Sequence, residues 1–290
     1  MSIAIVTDSN SGITQKEAKE LGITVIPMPF LINGEEFFED INLTQDEFYE
    51  KLLNDADVST SQPNIYSIVE IWKDLLTKND YVIHIPMSSA LSASCETAKN
   101  FAKEFNGKVI VIDNKRISVT QKQAVIDAKT MADEGKPVKQ IEEFLNQSSA
   151  NSSIYIMIPT LKYLKKGGRI TPAAAAIGSL LQIKPVLQIQ GGKLDKYCQV
   201  INANQGKKRM IGQIIQDIKN RFQTQLKNGK LKIFMAYTNC LDKCNKFKEE
   251  ADKELEPFGL KVSLVNPLSL SVSCHIGDGA IAIACSESYK

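Results

Sequence analysis

The first half of the chain alternates short apolar runs with stretches of helical spacing. Ile3 to Val6 reads as a buried strand, followed by Thr7, Asp8 and Ser9 as a turn. Gln15 to Leu21 carries a helical pattern, and Thr24 to Ile26 is strand-like. Pro29 to Phe38 reads as a hairpin on Asn33-Gly34, a pair that tolerates the left-handed backbone of a tight turn. Thr44 and Glu47 have the spacing of a capping box and predict a helix to Leu53. The polar run Ser59 to Pro63 is expected to be a loop that opens a helix from Asn64 to Thr77.

Tyr81 to Ile85 is the next strand, feeding a serine-rich loop (Ser88 to Ser94) and a helix to Phe105. Lys108 to Ile112 is a further strand, and helices are expected over Ser118 to Asp133 and Val138 to Asn146. Alternation of this kind predicts a parallel sheet with helices on both faces and binding groups at the carboxyl ends of its strands.

The second half has a different pattern. Ser153 to Ile158 is strand-like. A helix should open on Thr171 as cap with Pro172 in its first turn, and its apolar sequence, Ala173 to Leu181, predicts burial. Ile183 to Ile189 and Leu194 to Ile201 suggest a hairpin on Gly191-Gly192. A long helix is expected over Lys207 to Leu226. Strands at Leu231 to Ala236, Lys261 to Val265 and Ala280 to Ala284 flank a helix from Leu241 to Leu255. The fold class is α/β. An N-terminal α/β/α domain with a parallel sheet (1–150) precedes a C-terminal α/β domain (151–290) with a mixed, largely antiparallel sheet covered on one side. The polar run Ser148 to Ser153 marks the boundary.

A length of 290 residues suits that division. The net charge of +2, from 35 basic and 33 acidic residues, argues against a polyanionic partner such as nucleic acid. Lys207 to Arg209 is too short for a basic patch and reads as a solvated helix start. Six irregularly spaced cysteines make no disulfide framework. Cys240 and Cys244 have helical spacing, and free thiols fit a reducing cytoplasm. Met1 to Val6 has no basic lead, so it is not read as a signal peptide. No apolar stretch reaches the roughly 18 residues a membrane span needs. Transient membrane contact stays open.

Four runs carry candidate chemistry: Ser59 to Pro63, Ser88 to Ser94, Lys166 to Ile170 and His275 to Gly279. Each places hydroxyls, glycines or one cation near an element's end, where free backbone N–H groups can hold an anion or carboxylate. Helix capping explains either hydroxyl run alone. Asp8 lacks a second carboxylate or metal partner at an informative spacing, and a self-capping turn accounts for it. His84 sits inside a strand and reads as core, whereas His275 is expected in a glycine-rich loop. Gly167 and Gly168 permit close backbone approach or positive φ before Arg169. No catalytic residue, metal site or cofactor is assigned. The residues alone reach a two-domain α/β protein with a hydroxyl-lined ligand site.

Taken in order, these motifs resemble the DegV family, bacterial fatty-acid-binding proteins that include the FakB subunits of fatty acid kinase. The resemblance rests on Thr7-Asp8-Ser9, Ser59-Thr60-Ser61-Gln62-Pro63, Ser88-Ser89-Ala90-Leu91-Ser92, Leu161 through Lys166-Gly167-Gly168-Arg169-Ile170, Ile183-Lys184-Pro185 and His275-x-Gly-x-Gly. It implies a buried long-chain fatty acid of the palmitate or oleate class between two domains. It places the carboxylate at Thr60 and Ser92, with Ser61 and Ser89 beside them. It places Gly167, Gly168, Arg169 and His275 at the head-group or kinase-facing end, and implies a carrier that presents the acid to a separate kinase. The chain differs from the family pattern at Ala93-Ser94, at Asn204-Gln205, where relatives carry a kinase-facing Arg, and at Ile276 and Asp278. The alternative is a small-molecule kinase-like enzyme with His275 carrying the substrate, because the N-terminal domain type is shared with dihydroxyacetone kinase relatives.

Overall fold

The computed structural model describes residues 1–176 and 184–290. The chain begins with β1 (Ile3–Asp8), a 3-10 turn over Ser9–Ser11, α1 (Gln15–Leu21), β2 (Thr24–Ile26), β3 (Pro29–Ile32) and β4 (Glu35–Phe38). It continues through α2 (Gln45–Leu53), β5 (Val58–Thr60), α3 (Ile65–Leu76), β6 (Tyr81–Ile85), α4 (Ser94–Ala102), β7 (Val109–Val111), α5 (Ser118–Asp133) and α6 (Val138–Gln147). Strands β2, β1, β6 and β7 form a parallel sheet in that order. Successive side chains of a strand face opposite sides. Ile5 and Ile83 therefore pack with Val125 of α5 and Ile141 of α6, while Val6 and Val82 pack with Trp72 of α3 and Ala98 of α4. This is the expected sheet with helices on both faces.

The second half supplies β8 (Ser152–Met157), α7 (Lys162–Gly167), α8 (Pro172–Ala175), β9 (Lys184–Ile189), β10 (Asp195–Val200), α9 (Ala203–Asn220) and α10 (Gln223–Lys227). It ends with β11 (Leu231–Tyr237), α11 (Leu241–Leu255), β12 (Val262–Pro267), α12 (Leu270–Ile276) and β13 (Ile281–Glu287). The sheet order is β10-β9-β8-β13-β11-β12, antiparallel except for the β11–β12 pair. On one face, Met210 and Ile214 of α9 and Phe247 of α11 pack on Tyr155, Ile233 and Ile283. On the other, Ile154, Phe234 and Ala282 meet Leu91, Ile117 and Val119 from the first half.

Local chemistry accounts for many boundaries. Both reciprocal bonds of a capping box are made by Thr44 and Glu47, and the same arrangement occurs at Thr14 and Glu17. Asn33 (φ 52°) and Gly34 (φ 88°) make the hairpin turn. Thr171 caps α8 by accepting from the Ala174 amide. His84 is buried against Trp72, with ring centroids 5.6 Å apart, and desolvation lowers its pKa to about 3. It is a core histidine.

Several expectations need correction. Thr7 and Asp8 are not turn residues but the end of β1, because they pair with Val25 and Ile26 of β2. Ser59 and Thr60 are not loop residues. They belong to β5, which pairs with β3 and turns the Pro29–Phe38 hairpin into a three-stranded antiparallel sheet. The helix expected over Lys207 to Leu226 starts at Ala203 on an Asn202 cap and breaks at Arg221-Phe222, where Phe222 turns into the core at 1% exposure. Lys207 to Arg209 are thus inside α9. Cys240 is the residue before α11, and both it and Cys244 are buried. Ala174 is buried but Ala173 and Ala176 are exposed, so the described start of that segment is not apolar core. The remainder, Ile177 to Leu181, lies outside the described residues. His275 is not in a loop but in the last turn of α12.

Candidate functional site

The carboxyl ends of β1 and β6 lie side by side, paired through Thr7 and Ile85. Asp8 is buried at the end of β1 and accepts from the Asn10 amide at 3.0 Å and the Met87 amide at 2.8 Å. Gln121 Nε2 donates to it from α5 at 3.2 Å. One carboxylate thus braces both the Ser9–Ser11 turn and the residue leading into the serine loop. Burial pushes its pKa up to about 6, against the opposing pull of those hydrogen bonds. Asn10 extends the brace, since Ser271 Oγ donates to its Oδ1 at 2.6 Å.

That last contact reaches α12, which the small sheet also holds. Leu270 and Cys274 pack among Phe30, Phe48 and Val58. The Tyr49 hydroxyl donates to Ser273 Oγ at 2.9 Å, and the Leu270 amide donates to Glu39 Oε2 at 2.8 Å. Desolvation raises the Glu39 pKa to about 7. Held in this way, α12 aims His275 at β5. His275 Nε2 lies 2.9 Å from Thr60 Oγ1. Gly167 backs the ring so closely that a Cβ there would overlap it. Burial, and secondarily the charge of Arg169, lowers the His275 pKa to about 4, so the ring is neutral at neutral pH. Arg169 Nη1 donates to the Gly167 carbonyl.

These elements enclose a cavity of about 690 Å³, lined from both halves of the chain. Thr60, Ser61, Ser89, Ser92, Gly168, Arg169 and His275 all line it. Gly167 is set behind the lining, under the His275 ring. Apolar wall comes from Met28, Leu91, Ile117, Leu164, Leu194 and Ile276. The hydroxyls are not equivalent. Ser89 Oγ donates to Asp113 Oδ2 at 2.5 Å, so its proton is committed. Ser92 Oγ donates to Ser94 Oγ at 3.0 Å, and among the described residues the Thr60 hydroxyl is engaged only with His275. The cavity therefore combines neutral donors, two cations (Arg169 and Lys193), one acid (Glu96) and a long apolar wall, a set suited to an amphiphile with a small polar head.

Asn204 and Asp278 line a different cavity, and Gln205 accepts from the Ile201 amide at 3.1 Å. Sequence reasoning missed Asn10, Met87 and Ser271 as lining residues and Glu39 as the anchor of α12. The Thr7-Asp8-Ser9 motif pointed to the right turn, but nothing local in the sequence connects it to Ser271. Cys95, Glu96 and Asp113 bring ligand atoms within 4.8 Å of one another. Burial pushes the Cys95 thiol up to about 12, and Asp113 already accepts from the Ser89 hydroxyl and the Lys115 amide.

Residues 2–288 match the model of a family described as uncharacterised proteins of the DegV family. A DegV domain-containing protein of Staphylococcus aureus strain N315 is 29% identical over 280 residues, covering 96% of each chain. One from Deinococcus radiodurans is 27% identical over 98% of each chain. Among solved structures, a DegV family protein from Thermus thermophilus, described by its fatty acid binding, superposes with a TM-score of 0.87 at 25% identity. The match covers 99% of this chain and 100% of that one. A stearic-acid-binding protein from Eubacterium ventriosum shares the fold, with a TM-score of 0.88 at 21% identity over 100% of this chain and 99% of that one. Among the described residues, no helix is long and apolar enough to cross a membrane.

Proposed function

This chain belongs to the DegV family, and we propose that it binds a long-chain fatty acid of the palmitate or oleate class in the 690 Å³ cavity and carries it, presenting the carboxylate to a fatty acid kinase. The observation that carries the reading is the Thr60–His275 pair on the wall of a large, mostly apolar cavity. Its volume falls within the roughly 300–1,000 Å³ range of small-molecule sites. The described fatty acid binding of the Thermus thermophilus relative supports it.

The physical chemistry favours an acid with a long tail. Each buried methylene contributes about 0.8 kcal/mol. The carboxylate leaves water only if donors replace its hydration. A neutral His275 protonated on Nε2 donates to Thr60, which frees the Thr60 hydroxyl proton to face the carboxylate. Ser61 supplies a further donor, and Ser92 does so once its hydroxyl turns from Ser94 to the carboxylate, while Ser89 is turned to Asp113. Arg169 supplies positive charge on the same wall. Neutral donors hold a carboxylate without the grip of a buried ion pair, which suits a cargo that has to be handed on. A covalent role for His275 is less well supported, because its Nε2 is already engaged by Thr60.

Mass spectrometry of the intact protein under native conditions tests the reading. The expected spectrum carries one long-chain fatty acid per chain. A protein free of acyl chain that also fails to take up added palmitate or oleate overturns it.

A further inference from the structure

A second cavity of about 440 Å³ lies in the C-terminal half, among α9, α11, the start of β9 and the loop before β13. Lys184, Lys207, Lys243 and Lys246 face it, against a single carboxylate, Asp278. Only Lys207 has an acidic partner, Glu250 at 2.8 Å. Among the described residues, Lys184, Lys243 and Lys246 have none. The three unpaired ammonium groups around one opening repel one another unless an anion sits between them.

Two further features point the same way. The 18-residue helix α9 begins at this cavity, with Ala203 and Asn204 in the lining. Its Asn202 cap accepts from the Gln205 amide at 2.9 Å, which leaves the Ala203 and Asn204 amides unpaired among the described residues. Free first-turn amides and the helix dipole both favour negative charge. On the same lining, the half-buried Asp278 has an oxygen, Oδ1, with no hydrogen-bond partner among the described residues, an acceptor in need of a donor. Met157, Pro159 and Ile281 add apolar surface.

We propose that this cavity binds a phosphate ester whose organic part carries a hydrogen-bond donor, of about the size of a nucleoside phosphate. The phosphate meets the lysines and the α9 amides, the donor meets Asp278, and the organic body lies on the apolar surface. The site is separate from the fatty acid cavity and stands whether or not that reading holds.

Titration calorimetry on the intact protein tests it, with ADP free of magnesium and with inorganic phosphate as probes. The expected result is one ADP site whose affinity falls with added salt. Lys243 and Lys246 are exposed, so the Lys243→Ala/Lys246→Ala double variant should keep its thermal midpoint and its acyl content. Its ADP affinity should fall roughly tenfold or more, the loss of two phosphate-facing charges. Asp278→Ala should weaken ADP without weakening inorganic phosphate. Absence of ADP binding overturns the proposal, as does ADP binding that the double variant leaves unchanged. Equal affinity for ADP and inorganic phosphate marks an adventitious ion only and overturns it too.

Discussion

Thr60 Oγ1 and His275 Nε2 meet at 2.9 Å although 215 residues separate them in the chain. The contact joins an edge strand of the small antiparallel sheet to the last turn of α12. It couples the tautomer of a neutral histidine to the direction of a hydroxyl. The geometry of this pair therefore depends on how the two halves of the chain are packed.

Thr60→Ala and Ser92→Ala should each weaken fatty acid retention without unfolding the protein. A lost hydrogen bond to a charged group costs roughly 1.5–3 kcal/mol, so each change should lower affinity about tenfold or more. Displacement of a fluorescent fatty acid gives the number. An unchanged affinity in the double variant would place the carboxylate elsewhere.

His275 should titrate far below an ordinary histidine. Its folded pKa is lowered from 6.5 to about 4, so the unfolded chain binds the proton more readily. The stability this confers is complete above about pH 6.5 and is lost as pH falls through about 4. His275→Gln should flatten that part of the pH–stability curve relative to the wild type, and a two-dimensional NMR titration of the ring reads the pKa directly. A ring pKa near 6.5 contradicts the buried, neutral state.

Glu39 has the opposite sign. Its pKa is raised from 4.5 to about 7, so the folded protein binds the proton more readily, and this contribution is lost as pH rises through that window. Glu39→Gln keeps an acceptor for the Leu270 amide and should gain on the wild type at pH 8 relative to pH 5. Glu39→Ala leaves that amide unpaired and should cost about 1–3 kcal/mol. Urea melts at the two pH values separate these effects.

Gly167→Ala and Gly168→Ala should fail for different reasons. A methyl at Gly167 collides with the His275 ring, so that variant should break the Thr60 contact and move the ring pKa upward. A methyl at Gly168 meets nothing within 4 Å, but its φ of 70° is left-handed. That strain costs roughly 1–2 kcal/mol and should leave the His275 titration where it is. The same NMR titration distinguishes them.

Arg169→Ala and His275→Ala should keep the bound acyl chain, because neither side chain is needed to bury a hydrocarbon tail. With the host organism's kinase subunit and ATP, both should lose acyl phosphate formation. If the wild-type protein yields no acyl phosphate in that assay, the kinase step of the proposal falls and binding alone remains.

Much of the architecture is written locally. The helices over Gln15 to Leu21 and Leu241 to Leu255 agree with the sequence reading, because helical spacing operates within a few residues. The hairpins on Asn33-Gly34 and Gly191-Gly192 do as well, since their turn residues encode the reversal themselves. The hydroxyl and glycine runs also revealed most of the cavity's polar lining, because such residues cluster where elements end.

Pairing across distance was decided by the tertiary structure. Val58 to Thr60 carries no clear strand pattern and becomes one by bonding to Phe30 to Ile32. Leu270 to Cys274 alternates apolar and polar residues as a strand would. It is helical because that shape buries Leu270 and Cys274 against Phe30 and Phe48 while the Leu270 amide reaches Glu39. The bond from Ser271 to Asn10 spans 261 residues. Side-chain periodicity reports which face of an element is buried, but which distant element lies against that face depends on the packing of the whole chain.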